Sequence, residues 1–124
     1  MKKKIYEINL MDQQIKYPLL SSPAYIGNLE LRNRMIMAAM GSNFASEDGH
    51  TTDQLTAYYE KRAQGGIGLI ILETSAITWP AGASMPNMIG FSKDEFIPSL
   101  KSLTQRVHQH GTKIAAQLNH SGKI

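Results

Sequence analysis

Cysteine is absent from the 124-residue sequence. The chain therefore supplies no disulfide, no thiolate nucleophile and no iron–sulfur ligand, which suits a reducing compartment. Long apolar runs are absent too. Nothing approaches the ~20 consecutive apolar residues needed to cross a bilayer. Glu7 and Asn9 interrupt the basic N-terminal stretch where a signal peptide would need its apolar region. A soluble, cytoplasmic protein with no membrane partner is expected. No basic stripe interleaved with aromatics is present, and much of the net charge of +3 is Lys2, Lys3 and Lys4, read as a solvated tail. Nucleic acid is therefore not an expected partner. A phosphate-cradling glycine loop ending in Lys-Ser or Lys-Thr is also missing.

What remains is ordinary globular material, with 42% apolar and 19% charged residues. Its organising stretch is Gly65–Thr74, Gly-Gly-Ile-Gly-Leu-Ile-Ile-Leu-Glu-Thr. Ile67–Leu72 is apolar without alternation, which predicts a strand buried on both faces of a parallel sheet. Arg34–Met40 and Lys113–Leu118 are expected as its neighbours. Between them, Thr51 or Thr52 starts a helix running to about Gln64. Thr51 and Gln54 have capping-box spacing, Leu55, Tyr58, Tyr59 and Ala63 form the apolar face, and Gly65 supplies the stop. After a long loop, Ser75–Phe91, Ser92 and Glu95 are expected to cap a second helix, with Phe96, Leu100, Leu103 and Val107 as its stripe and Gly111 as its end.

The predicted order is β-α-β-α-β, with short turns before each strand and long loops after it. Parallel α/β proteins bind ligands at the C-terminal ends of their strands, where such loops collect. Ala38–Gly41, Glu73–Thr74 and Gln117–Asn119 should meet there. Small residues and a glycine at Ala38, Ala39 and Gly41 either let a ligand approach the backbone or simply pack tightly. Gly65-Gly-Ile-Gly68 is no dinucleotide fingerprint, because it precedes a strand instead of opening a helix. His108 and His110 lie two apart on a helix and do not face one another, so no metal site is expected. His120 lies just past a strand end, as an ordinary loop residue or a catalytic one. Gln117 is the sharpest position: its amide offers a donor and an acceptor, to loop backbone or to the N–H and C=O edge of a heterocycle.

At these residues the sequence resembles the old yellow enzyme family of NAD(P)H:flavin oxidoreductases. More narrowly, it looks like the branch of 2,4-dienoyl-CoA reductases, enoate reductases and bile-acid-inducible flavin oxidoreductases. Three ordered blocks carry the likeness: Leu31–Met40, Tyr58–Glu73 and Gln117–Lys123. The resemblance implies an α/β fold, the N-terminal part of a (β/α)8 TIM barrel with about three parallel strands and two helices. Residues 1–30 would lead into it and 31–124 would form its first three βα units. It further implies FMN at the strand ends, with Ala38, Ala39, Met40 and Gly41 lining the flavin, Thr74 against it and Gln117 on its pyrimidine edge. NAD(P)H would be co-substrate and a small unsaturated molecule the substrate. Ala39 replaces the family's common proline and Lys123 its more usual arginine.

Such a barrel takes ~250 residues. By the resemblance, the family's substrate-anchoring pair, its proton-donating tyrosine and its phosphate loops lie beyond Ile124. So would any iron–sulfur cluster or FAD. The expected function is an FMN-dependent ene-reductase-type oxidoreductase, with this chain as the N-terminal part and not active alone. The alternative is a non-catalytic interaction module that completes its sheet against a partner.

Overall fold

A computed structural model of the chain describes residues 16–122. The lysine tail and Lys123 lie outside them. The chain divides into two compact units, Met1–Met35 and Ile36–Ile124.

In the first unit a short helix, α1 (Pro18–Ser21), precedes an antiparallel hairpin of β1 (Ala24–Ile26) and β2 (Leu29–Leu31). Ile26 pairs with Leu29, so Gly27 and Asn28 form a two-residue turn with glycine first, a common hairpin connection. Arg34 closes back on the helix: its N–H donates to Leu20 O at 3.0 Å and its Nε to Ser22 Oγ at 3.1 Å.

In the second unit β3 (Ile36–Met37), α2 (Asp53–Gln64), β4 (Leu69–Ala76), β5 (Ile89–Gly90), α3 (Ile97–His108) and β6 (Lys113–Asn119) follow in order. A single 3-10 turn, Asp94–Phe96, leads into α3. All four strands are parallel, and β4 pairs with each of the others. Because β6 runs along β4 from Leu69 to Ala76, β3 and β5 share the opposite edge, at Ile36–Met37 and Ile89–Gly90. The expected β-α-β-α-β order is therefore present, with β5 added inside the long loop. Both helices pack on one face, where Leu55, Tyr59, Ala63, Leu103 and Val107 meet Ile70 and Leu72. Across the helices, Glu60 accepts from Arg106 Nε at 2.9 Å and lies 3.3 Å from His110 Nε2.

Several boundaries differ from the sequence expectation. The first strand holds ladder bonds only at Ile36–Met37, not over Arg34–Met40, because the chain then leaves the sheet. The central strand begins at Leu69 and runs on to Ala76, so Glu73 and Thr74 lie within it and Ser75 is not loop. Of the two expected candidates Thr52 caps α2, its hydroxyl accepting from Leu55 N–H at 3.1 Å and donating to Phe44 O at 2.5 Å, so the Thr51–Gln54 capping box does not form. Ser92 does not cap α3; its hydroxyl accepts from Trp79 N–H, and α3 starts without a side-chain cap. The left-handed residue ending α2 is Gly66 at φ +96°, while Gly65 stays helical at φ −70°.

A side chain at Gly66 would force a left-handed backbone on an L-residue, at a cost of roughly 1–2 kcal/mol. Gly66→Ala should lower stability by about that amount in chemical denaturation, whereas Gly65→Ala should cost less.

Candidate functional site

Glu73 owes its place to a register fault. Ile71 pairs with Ala115 and Leu72 with Ala116, but Thr74 pairs with Gln117, so Glu73 is an extra residue on β4. Side chains alternate along a strand. Ala115 and Gln117 share one face of β6, so Ile71 and Thr74 share it on β4. The bulge turns both intervening residues the other way: Leu72 joins the core beneath the helices, and Glu73 reaches Tyr59 on α2.

Glu73 is wholly buried. Its Oε2 accepts from Tyr59 Oη at 3.0 Å, from Ser42 Oγ at 2.6 Å and from Ser42 N–H at 3.2 Å. Its own N–H donates to Tyr59 Oη at 3.0 Å, so one hydroxyl serves both ends of the residue. Its Oε1 is buried with no hydrogen-bond partner among the described residues. Burial, and then the charge of Glu73, push the Tyr59 phenol well above its ordinary ionisation range.

On the opposite face Thr74 Oγ1 donates to Gln117 Oε1 at 2.7 Å. Thr74 is half-buried and Gln117 exposed, and no residue among those described partners the Gln117 Nε2. Of the first strand's end, Ala38, Met40 and Gly41 are exposed and Ala39 is half-buried. The chain connects to β4 through Ser42, the residue after Gly41. Thus Thr74 and Gln117 are joined directly, and Gly41 is held one residue from the Glu73 contact. No hydrogen bond joins Ala38, Ala39 or Met40 to Thr74 or Gln117 among the described residues.

The loop after β4 covers these strand ends. Ile77 N–H donates to Asn119 O and Ser121 N–H to Gly82 O, tying it to the end of β6. Asn87 N–H donates to Asn43 Oδ1 at 3.1 Å, tying it to the Gly41–His50 loop, where Asn43 itself has φ +60°. A Cβ on Gly41 would come 2.7 Å from Met85 Cε, so the close approach this glycine allows is made here by a methionine tip. His120 lies against Gly82, and its Nδ1 accepts from Gly122 N–H.

Ser46, Asp48 and His50 look like a nucleophile set but are wired differently. The Ser46 hydroxyl has Asp48 and His50 O within reach and one proton to give to either, while His50 Nε2 lies 3.2 Å from Glu95 O. Among the described residues no hydroxyl meets the imidazole, so the cluster folds its loop. The Ser46 hydroxyl, and then His50, hold the Asp48 carboxyl below its usual range.

Sequence reasoning placed Glu73 beside the site but missed its partners. The helical spacing puts Tyr59 on the apolar face of α2, and Ser42 lies in the stretch after Gly41, where no periodic pattern singles it out. A carboxylate directly following an apolar run was the available signal, since a buried one needs donors.

A parallel sheet with helices on one face, long loops over its strand ends and polar side chains gathered there belongs to the α/β class that binds ligands at that end. The model of the NADH:flavin oxidoreductase / NADH oxidase family matches residues 20–124, and the chain belongs to this family of flavin-dependent oxidoreductases. It is 39% identical over 107 residues to an NADH oxidase of Thermoanaerobacter brockii, covering 86% of this chain and 16% of that protein. It is 36% identical over 105 residues to an NADPH dehydrogenase of Halalkalibacterium halodurans, covering 84% of this chain and 31% of that one. Among solved structures, the old yellow enzyme from Trypanosoma cruzi superposes with a TM-score of 0.77 at 35% identity, over 86% of this chain and 28% of the other. The fold is that of part of the old yellow enzyme barrel, and the chain spans less than a third of these relatives' length.

The raised Tyr59 ionisation carries a sign. A phenol whose folded pKa lies above its unfolded value of ~10 adds stability that is complete below pH ~10 and is lost as pH climbs toward the folded value. Tyr59→Phe should therefore leave the alkaline absorbance change at 295 nm unaltered through pH ~10.5, since Tyr59 is not ionised there. The same variant strands Glu73 N–H and removes a donor from Oε2, so it should cost about 1–3 kcal/mol at neutral pH.

Proposed function

We propose that this chain forms the flavin-binding floor of an FMN-dependent, NAD(P)H-driven oxidoreductase that reduces an activated C=C bond. The observation that carries the reading is the Thr74–Gln117 pair, two polar side chains joined on the sheet face opposite the helices. The donor set fits an isoalloxazine. Gln117 keeps an unshared amide N–H2 for a ring acceptor, and Thr74 holds the amide plane by its hydroxyl. In this reading Ala38, Ala39 and Gly41 offer small side chains and backbone to the ring and Met40 its backbone, and the Met85 tip next to Gly41 is a side chain that moves aside cheaply. When bound, FMN supplies a two-electron carrier between the nicotinamide and the substrate.

The chain's own part is to bind and orient. Thr74 fixes the Gln117 rotamer before the ligand arrives, which reduces the entropy cost of binding. In this reading residues 31–124 are the first three βα units of the barrel and residues 1–30 lead into it. A further βα unit covers the exposed edge of β6 and the apolar groove between α3 and β6, lined by Leu72, Ile97, Leu100, Ile114 and Ala116. The unsaturated substrate and the proton donor for its reduction belong to parts of the barrel beyond these units.

Gln117→Leu keeps the volume and removes both polar groups. It should weaken FMN binding roughly ten- to hundredfold, the value of one or two hydrogen bonds left unmade. Flavin fluorescence quenching in the protein that carries this chain measures it. Unchanged affinity would remove Gln117 from the site.

A further inference from the structure

We infer that Glu73 is a positioning residue: its buried carboxylate sets the Gly41–Ser42 backbone at the end of the first barrel strand, and so the shape of the flavin floor. The inference rests on the flavin-binding reading above and assigns a role to a side chain that this reading leaves unused.

Pairing with β3 stops at Ile70, and pairing with β5 starts at Ser75. Between those points the edge of β4 has lost its neighbour, because the chain after Met37 leaves the ladder. Ser42 crosses this gap with two donors, its N–H and its Oγ, both ending on Glu73 Oε2. Among the described residues no strand pairing holds residues 38–42, so this side-chain acceptor sets where Gly41 lies. Hydrogen bonds to an ionised acceptor are about twice as strong as neutral ones, which suits one atom holding a loop end.

The arrangement is poorly explained as a device for stability. Glu73 is wholly buried, and its second oxygen has no partner among the described residues. Burying a carboxylate with an acceptor left over costs several kcal/mol, and apolar replacements of such groups are often neutral or stabilising. Tyr59 holds the carboxylate from behind through two bonds to one hydroxyl, so the acceptor is braced by the helix and presented to the loop. A buried polar group kept at this cost beside strand ends that bind a ligand is expected to position something there.

The parts of the cluster can be separated. Ser42→Ala removes one donor at a half-buried position and leaves the Tyr59 side intact. Tyr59→Phe loosens the brace and leaves both Ser42 bonds. Glu73→Ala removes the acceptor, while Glu73→Gln keeps one acceptor oxygen and puts its amide nitrogen where Oε1 has no partner. In the flavin-loaded protein, Ser42→Ala and Glu73→Ala should weaken FMN affinity roughly tenfold, the worth of a charge-assisted bond, and shift the flavin's visible absorption band. Glu73→Gln should recover part of both, because it keeps an acceptor but not its charge. Tyr59→Phe should lower the thermal midpoint with much smaller change in affinity or spectrum. Should Glu73→Ala fail to fold, Ser42→Ala and Glu73→Gln carry the test. Unchanged flavin affinity and spectrum in Ser42→Ala, with wild-type protein binding FMN normally, would overturn the inference and leave the functional reading standing. Wild-type protein that binds no FMN would overturn both. Amide exchange at Ser42 in flavin-free protein, faster in Glu73→Ala than in wild type, supports the tether independently of the cofactor; equal exchange counts against it.

Discussion

One carboxylate oxygen, Glu73 Oε2, joins three parts of the second unit that no backbone ladder joins. It takes a hydroxyl from helix α2, and a hydroxyl and a backbone N–H from the loop that ends the first strand. The bulge makes this geometry available. Without the extra residue on β4, alternation would send Glu73 to the face of Thr74's present neighbours, away from Tyr59, and Thr74 would lose its register with Gln117. A single irregularity thus sends one polar side chain toward the helices and the next toward the open face. The buried anchor and the exposed pair are consequences of the same fault.

The architecture was legible because its signals are local and redundant. The unalternating run before Glu73 marks a central strand, and the helical spacings of Leu55, Tyr59 and Ala63 and of Leu103 and Val107 mark the two helices that cover one face of it, while Ile71 and Thr74 on the other face stay half-buried. Their ends were less legible. Thr51 and Thr52 both have capping chemistry, and only the bond to Leu55 N–H distinguishes them. Gly65 and Gly66 both permit a left-handed turn, and the helix uses the second. The two-residue strand β5 lies among loop-forming residues because its partner, the end of β4, is remote in sequence. Propensity carries no information about such a contact.

The candidate site divides along the same line. Thr74 and Gln117 follow from two strands in parallel, since residues near the ends of adjacent strands must meet. Tyr59 and Ser42 do not follow, because their meeting depends on a bulge, and a bulge at the end of an apolar run without alternation leaves no periodic trace. The visible clue was chemical: a carboxylate placed where the core continues has to find donors, and the nearest helix face carried a tyrosine. The family resemblance supplies the proposal of a flavin there and is silent on how the strand end is held.

Nuclear magnetic resonance on the protein that carries this chain, with FMN added to flavin-free material, tests the central claim most directly. The account predicts that the Gln117 side-chain amide and the Ser42 and Thr74 backbone amides shift together and saturate at one FMN per chain. If FMN binds and these resonances stay in place while others move, the strand ends described here are not the flavin's floor.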